Sequence, residues 1–375
     1  TYMGILSSFN IGVSGLHAAG SAMSVTGDNI ANAGTFGFKG SRAEFQDLLS
    51  KSLKGIDGGD QIGSGTKLAH ITPKFTQGNI NRTESITDLA LNGNGFFSLE
   101  TPKGRGFSRD GSFHFNKDGE LINGDNYPIL GFQANEEGKI TQKMGRIKLG
   151  NTTIPAAPTK AVSLSMNLDS RADIQQFDIT KPEKTSDFNT SMVVYDNVGT
   201  QRLITLYYNK LADGQWQYHA TVPGEDAQGG VPGTPSEMAT GTLQFDKKGK
   251  LQTETSTQNS FNFNKGAEAG QVIEFDFGKS ISEGGKGDEA TTQFGSNSSI
   301  ARHTQDGSSA ATLSSLSFND DGVLTAAYDN GIMRDVAMIG IAKFENNEGL
   351  FKMDKDIFEE TDKSGQIAMV NPGFD

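Results

Sequence analysis

Residues 6–30 read LSSFNIGVSGLHAAGSAMSVTGDNI, and one spacing organises them. Leu6, Phe9, Val13, Leu16, Gly20, Met23, Gly27 and Ile30 alternate by three and four, the pattern of an amphipathic helix with a coiled-coil seam. Gly20 and Gly27 leave gaps in that seam, and Gly12 and Gly15 stand beside it. Each glycine costs about 1 kcal/mol against alanine in a helix interior, so this helix needs neighbours to hold it. No Asp, Glu, Lys or Arg precedes Asp28, which removes the charged back face of an ordinary surface helix. Burial against the protein's own body and packing between copies both satisfy such a pattern. The narrow seam, the uncharged flanks and the position at the chain end favour packing between copies, with Leu6, Phe9, Val13, Leu16, Met23 and Ile30 as the assembly residues.

Beyond residues 1–33 the pattern breaks at Asn32-Ala33-Gly34, and Gly34, Gly37 and Gly40 mark a turn into a linker over 34–75. A short helix is expected there at Ala43–Leu53, followed by a Gly-rich connector at Lys54–Gly65. The connector lacks the Gly-Lys-Ser/Thr ending of a phosphate loop. Short apolar runs then follow at Ile80, Leu89–Leu91, Phe96–Leu99, Phe113–Phe115, Leu121–Ile122 and Ile129–Phe132, the signature of strands. Four loops share one form: Phe115–Leu121, Asn135–Ile140, Phe245–Leu251 and Phe318–Leu324 each run through polar residues to a glycine placed for the left-handed position of a hairpin turn. The carboxylates in these loops do not follow the order of an EF-hand calcium loop, so they read as turn chemistry.

Composition shifts near Asp169, and Met192–Tyr195, Leu203–Tyr208 and the Trp216/Tyr218 alternation read as strands of a second β domain. Its Gly-rich loops, Gly224–Gly233 and Ala267–Gly287, are expected on the outside. The denser pattern returns near Asn297, with Leu313, Leu316, Phe318, Leu324 and Val336–Ile339. The expected fold is mainly β and multi-domain: a first β domain over 76–168 and 295–375, interrupted by a second over 169–294, behind an N-terminal amphipathic α-helix.

Composition agrees. With 375 residues, 47 Gly, 24 Phe and 34% hydrophobic content, the chain suits two or three domains built of short strands. A net charge of -12 without basic clusters argues against nucleic acid and anionic membrane surfaces as partners. The absence of Cys excludes disulfides, thiolate metal sites and cysteine nucleophiles. The N-terminus lacks the basic start and continuous apolar run of a cleavable signal, and no stretch approaches the about 18 apolar residues of a membrane span. His17, His70, His114, His219 and His303 are scattered without a catalytic spacing, while Asp320-Asp321, Glu136-Glu137 and Glu359-Glu360 read as solvated charge. No enzyme, cofactor or metal site is expected.

The segment Asn10–Leu16 running on through Thr26–Lys39 resembles the signature of the rod and hook axial proteins of the bacterial flagellum. Asp88–Phe97 and Phe107–Phe113 resemble motifs of that family's first β domain, and Leu313–Gly365, with Asn347–Phe351, its return into that domain. The resemblance implies a helix ended by the turn Asn29-Ile30-Ala31-Asn32, with Asn29, Ala31, Asn32 and Gly34 as its signature residues and left-handed geometry at Asn32 and Gly34. It further implies that the helix serves a coiled-coil inner layer and that copies assemble into a helical tube, a flexible joint between motor and filament. The distal rod, hook cap and hook–filament junction proteins are the implied partners, at an extracellular location reached by export without a cleaved signal. The inserted domain favours the hook branch over the distal rod subunit; a β-rich carbohydrate-binding surface protein and a glycosidase are the rivals from other classes. Members of the family end in a second amphipathic helix, whereas this sequence stops at Asn371–Asp375 without further heptads, so a truncated chain is expected.

Overall fold

The computed structural model describes residues 2–48, 51–52, 61–287 and 289–372, with side chains at all of these except 2–4, 51–52 and 61–62. Among the described residues there is one α-helix, α1, which spans Tyr2–Ala31. Its polar side chains satisfy themselves on the helix: Ser21 Oγ donates to His17 O (3.0 Å) and Thr26 Oγ1 to Ala22 O (2.9 Å). The helix ends where Asn32 Nδ2 donates to Asp28 O and Oδ1, both at 3.0 Å, and the Ala33 amide tightens to Ile30 O.

The short helix expected at Ala43–Leu53 is corrected. Ser41–Asp47 is a strand, paired antiparallel with Thr66–Pro73 across a bulge at Glu44/Phe45. Tertiary pairing has overridden local propensity here, because the partner strand arrives only some twenty residues later and supplies the ladder. Within the expected linker, Ser41–Asp47 and Thr66–Pro73 therefore form a packed hairpin. Lys51–Ser52 and Gln61–Ile62 also pair, while residues 54–60 of the expected connector and 49, 50 and 53 of the expected helix lie outside the described residues.

Among the described residues all the remaining regular structure is strand or 3₁₀ turn, and the chain divides into two units. The first comprises 1–151, 314–327 and 331–375; the second, 152–313 and 328–330. The first is thus interrupted in sequence by the second. The boundaries fall at 151/152 and 313/314 rather than 168/169 and 294/295, because Val162, Leu164, Met166 and Leu168 on the strand Ala161–Asp169 belong to the core of the second unit. In the first unit, one six-stranded sheet runs in the order Phe351–Lys352, Ile357–Glu359, Gly104–Ser108, Phe96–Thr101, Ile341–Lys343, Ala368–Val370. Residues near 100 are so joined to residues near 350. Phe96, Phe107 and Phe358 form an aromatic core under it, with Phe75 and Phe344 against them. Ile80 and Leu89–Leu91, expected in strands, lie in irregular backbone, where Ile80 is exposed and Leu89 and Leu91 pack against the neighbouring core.

The second unit sets a five-stranded antiparallel meander, Phe188–Tyr195, Gln201–Ala212, Gln215–Val222, Ser236–Phe245 and Leu251–Asn259, over one core with Ala161–Asp169 and its neighbours. Alternate residues of Ala161–Asp169 are buried, the period of two that a half-covered strand requires. The loop Ala267–Gly287 is corrected from an outer loop: Ile273 and Phe277 are fully buried, and Glu274–Asp276 pairs parallel with Ala161–Ser163. The four expected turns all form. Asn116, Asn135, Asp246 and Asn319 each accept backbone N–H groups within the loop, and Gly119, Gly138, Gly249 and Gly322 take φ of 75°, 78°, 77° and 67°.

Candidate functional site

At about 100° per residue, the seam of α1 occupies one side of the helix. Ile11, Ser14, Ala18, Ala22, Val25 and Asn29, also spaced by three and four, occupy the side half a turn away. This second stripe is the half-buried one. It carries mostly small residues, and it docks on the hairpin at two points. Near the far end of the hairpin, Ser14 Oγ donates to Ile11 O (2.7 Å) and accepts from the Thr66 amide (3.2 Å). At the near end, Asn29 Nδ2 donates to Ser41 O and Asn29 Oδ1 accepts from the Ser41 amide, both at 2.8 Å.

The seam residues point away from the hairpin. Leu6, Phe9, Val13, Leu16, Met23 and Ile30 are all exposed, from 37% for Val13 to 79% for Leu16. A Cβ added at Gly12, Gly15, Gly20 or Gly27 would meet nothing within 4 Å, so the fold of the single chain does not require these glycines. A large apolar stripe on a helix with no charge before Asp28, left open to water, is an unusual surface for a folded chain.

Of the signature residues, Asn29 pins the helix to the hairpin and Asn32 caps Asp28. Ala31 is the last helical residue, and Gly34 is exposed with no close neighbour. Left-handed geometry falls at Gly37 (φ 72°), not at Asn32 or Gly34 as expected. There the backbone presses on the β body, and a Cβ would lie 2.3 Å from the Asp110 amide nitrogen. Next to it, the buried Lys39 donates to Thr76 O (2.8 Å), and the buried Arg109 donates to Gly93 O (2.6 Å) over the ring of Phe96. Burial, and then the nearby Arg109, hold the Lys39 ammonium below its usual pKa. Lys352 lies 4.3 Å over the ring of Phe38. Residues 37–39 thus seat the helix exit on the first unit. The sequence marks Gly37 as one of three turn glycines but not as the left-handed one, and it does not single out Ser14 and Lys39, though the Ile11-to-Asn29 stripe was legible by the same spacing as the seam.

The histidines do not converge: His219 contacts Glu237 and stacks on Phe177 at 4.0 Å, and His17 lies exposed on α1. Among the described residues no group of three or more His, Asp or Glu could hold a metal ion, and no helix is long and apolar enough to cross a membrane.

Comparison with known proteins bears on the whole chain. Residues 9–39 match the family described as flagella basal body rod protein, residues 90–174 the flagellar hook protein FlgE/F/G D1 domain, and residues 167–308 the flagellar basal body protein FlaE D2 domain. The flagellar hook protein FlgE of Treponema pallidum is 30% identical over 94% of this chain and 85% of its own length. FlgE of Escherichia coli is 30% identical over 97% and 86%, and that of Borreliella burgdorferi 32% over 97% and 86%. The crystal structure of Helicobacter pylori flagellar hook protein FlgE2 superimposes with a TM-score of 0.56 at 13% identity, covering 76% of this chain and 95% of that one, and so shares the fold.

Proposed function

The chain belongs to the flagellar hook protein family, and from that premise we propose that it is a structural subunit of the hook that self-assembles into a curved, flexible helical tube transmitting torque from motor to filament. The observation that carries this reading is the exposed seam of α1. Covering one large apolar side chain is worth about 1.5–3 kcal/mol, so a stripe of six gives copies a strong reason to associate where a lone chain has none. The absence of charge over residues 5–27 adds no desolvation penalty to that burial. Leu6, Phe9, Val13, Leu16, Met23 and Ile30 are the proposed contacts between copies. Asn29, Ala31, Asn32 and Gly34 carry the chain from the helix into the hairpin.

Under the same reading the second unit, as an inserted β domain with polar turns, makes weaker contacts that slide as the tube bends. The subunit is proposed to reside in the extracellular hook, to be exported without a cleaved signal and to meet distal rod, hook cap and hook–filament junction proteins at the tube ends. No catalytic step is assigned to it.

Electron microscopy of the full-length gene product tests the proposal. Tubes are expected from the parent, and Leu16→Glu with Phe9→Glu is expected to abolish them while the melting of the β units stays unchanged. Val231→Glu, at an exposed apolar residue of the second unit, serves as the control and is expected to leave tubes intact. Equal tube formation by the helix variant would overturn the reading.

A further inference from the structure

The orientation of α1 runs against simple hydrophobic expectation. Its small stripe faces the hairpin, while its large apolar stripe faces water. The hairpin itself leaves Phe45, Leu68 and Ile71 partly uncovered. Apolar burial alone would favour turning Leu6, Phe9, Leu16 and Met23 toward the protein rather than toward water. Something specific opposes that rotation, and the polar contacts are the features that distinguish the two faces.

We infer that Ser14 and Asn29 are positioning residues that fix the rotation of α1 about its axis and thereby hold the seam outward for a second copy of this chain. Both contacts demand close approach, and glycine provides it at each. A Cβ at Gly65 would lie 2.3 Å from Ser14 Oγ, and one at Gly40 would lie 3.1 Å from Asn29 Oδ1. Gly65 also takes φ of 100°, a conformation other residues resist. The two pins stand fifteen positions apart on one face, so together they fix the rotation as one alone would not. Turning the helix by even one residue, about 100°, would carry both side chains out of reach. Neither pin contributes apolar area, and both act through backbone partners on the hairpin, Thr66 and Ser41. Selection of the face is therefore separated from the apolar area that drives association, which deepens the assembly reading above and rests on it only for its consequence.

The cysteine-free chain makes the test direct. Single cysteines are placed at Leu16, on the seam, and at Ala18, on the docked face, and the rates of thiol alkylation are compared in the unassembled full chain. In the parent the seam cysteine is expected to react about tenfold faster or more. In Ser14→Ala/Asn29→Ala the ratio is expected to fall toward one while the helical circular dichroism persists. If that double variant loses its helical signal, Gly65→Ala, which displaces Ser14 without altering the helix sequence, decides by the same ratio. A parental ratio near one overturns the inference, as does a ratio that survives loss of the pins. Because the assay reads unassembled protein, its failure is distinguishable from a failure of tube formation.

Discussion

Asn29 and Ser41 exchange two hydrogen bonds of 2.8 Å, the side-chain amide of one against the backbone N–H and C=O of the other. The amide imitates a strand residue, so the ladder of the hairpin in effect begins on the helix. The helix and the first strand are coupled at a point where no apolar contact would give direction.

Removal of that amide should be visible at its partner. Asn29→Ala is expected to speed hydrogen exchange at the Ser41 amide about tenfold, from the loss of hydrogen bonds worth about 0.5–1.5 kcal/mol each. Asn29→Asp should fall between, since a carboxylate accepts from the Ser41 N–H but cannot donate to its carbonyl. An unchanged Ser41 amide in Asn29→Ala would contradict the coupling.

The glycines of the N-terminal region should separate into two kinds. Gly20→Ala and Gly27→Ala meet nothing within 4 Å and are expected to strengthen the helix by about 1 kcal/mol each in the unassembled chain, read by circular dichroism. Gly37→Ala should instead destabilise the first unit by more than about 2 kcal/mol, since its φ is 72° and its Cβ would strike the backbone of Asp110. Urea titration distinguishes the signs.

In the second unit Arg202 is buried with its Nε 2.9 Å from Asp196 Oδ2, and its other nitrogens reach Asp226 and Asn264. Arg202→Met would leave Asp196 buried without its counter-charge, at a cost of about 3–5 kcal/mol. Trp216, the sole tryptophan, is fully buried in the same core, so its fluorescence reports the unfolding of this unit specifically. Parental stability in Arg202→Met would refute the role of the pair.

Glu254 supplies a pH dependence. Burial, with smaller contributions from Glu283 and Asp276, raises its pKa from 4.5 to about 7, against a hydrogen bond from the Phe277 amide. A raised carboxylate pKa means that the folded state holds its proton more tightly than the unfolded state. The second unit therefore loses stability as pH rises from about 4.5 to 7 on account of this group. Glu254→Gln should remove the loss, gaining about 1–2 kcal/mol at pH 8 after allowance for partial exposure, and nothing at pH 4. Trp216 fluorescence in urea at the two pH values measures the difference; equal gains at both would exclude ionisation as the cause.

Much of this architecture was legible because its signals are short-ranged. The hairpin loops at Asn116, Asn135, Asp246 and Asn319 needed only an Asx acceptor and a glycine a few residues on, and each formed as read. The helix was legible from its periodicity. Ser41–Asp47 was not, since Ala43 and Phe45 alternate over too few residues to oppose a helical reading until Thr66–Pro73 arrives. Ile273 and Phe277 were hidden within glycines and acids, and only the parallel pairing of Glu274–Asp276 with Ala161–Ser163 draws them inward.

By itself the sequence determined that residues 6–30 form a helix with an apolar seam gapped at Gly20 and Gly27 and that the rest of the chain turns repeatedly into short strands. Helical period and turn chemistry are written within a few neighbouring residues. Only the tertiary structure decided which stripe of that helix meets the hairpin, because the choice depends on Thr66 and Ser41, whose positions follow from strand pairing rather than from any local pattern. The same folding that half-buries the small stripe leaves Leu6, Phe9, Leu16 and Met23 exposed, and the surface proposed for assembly is what remains uncovered.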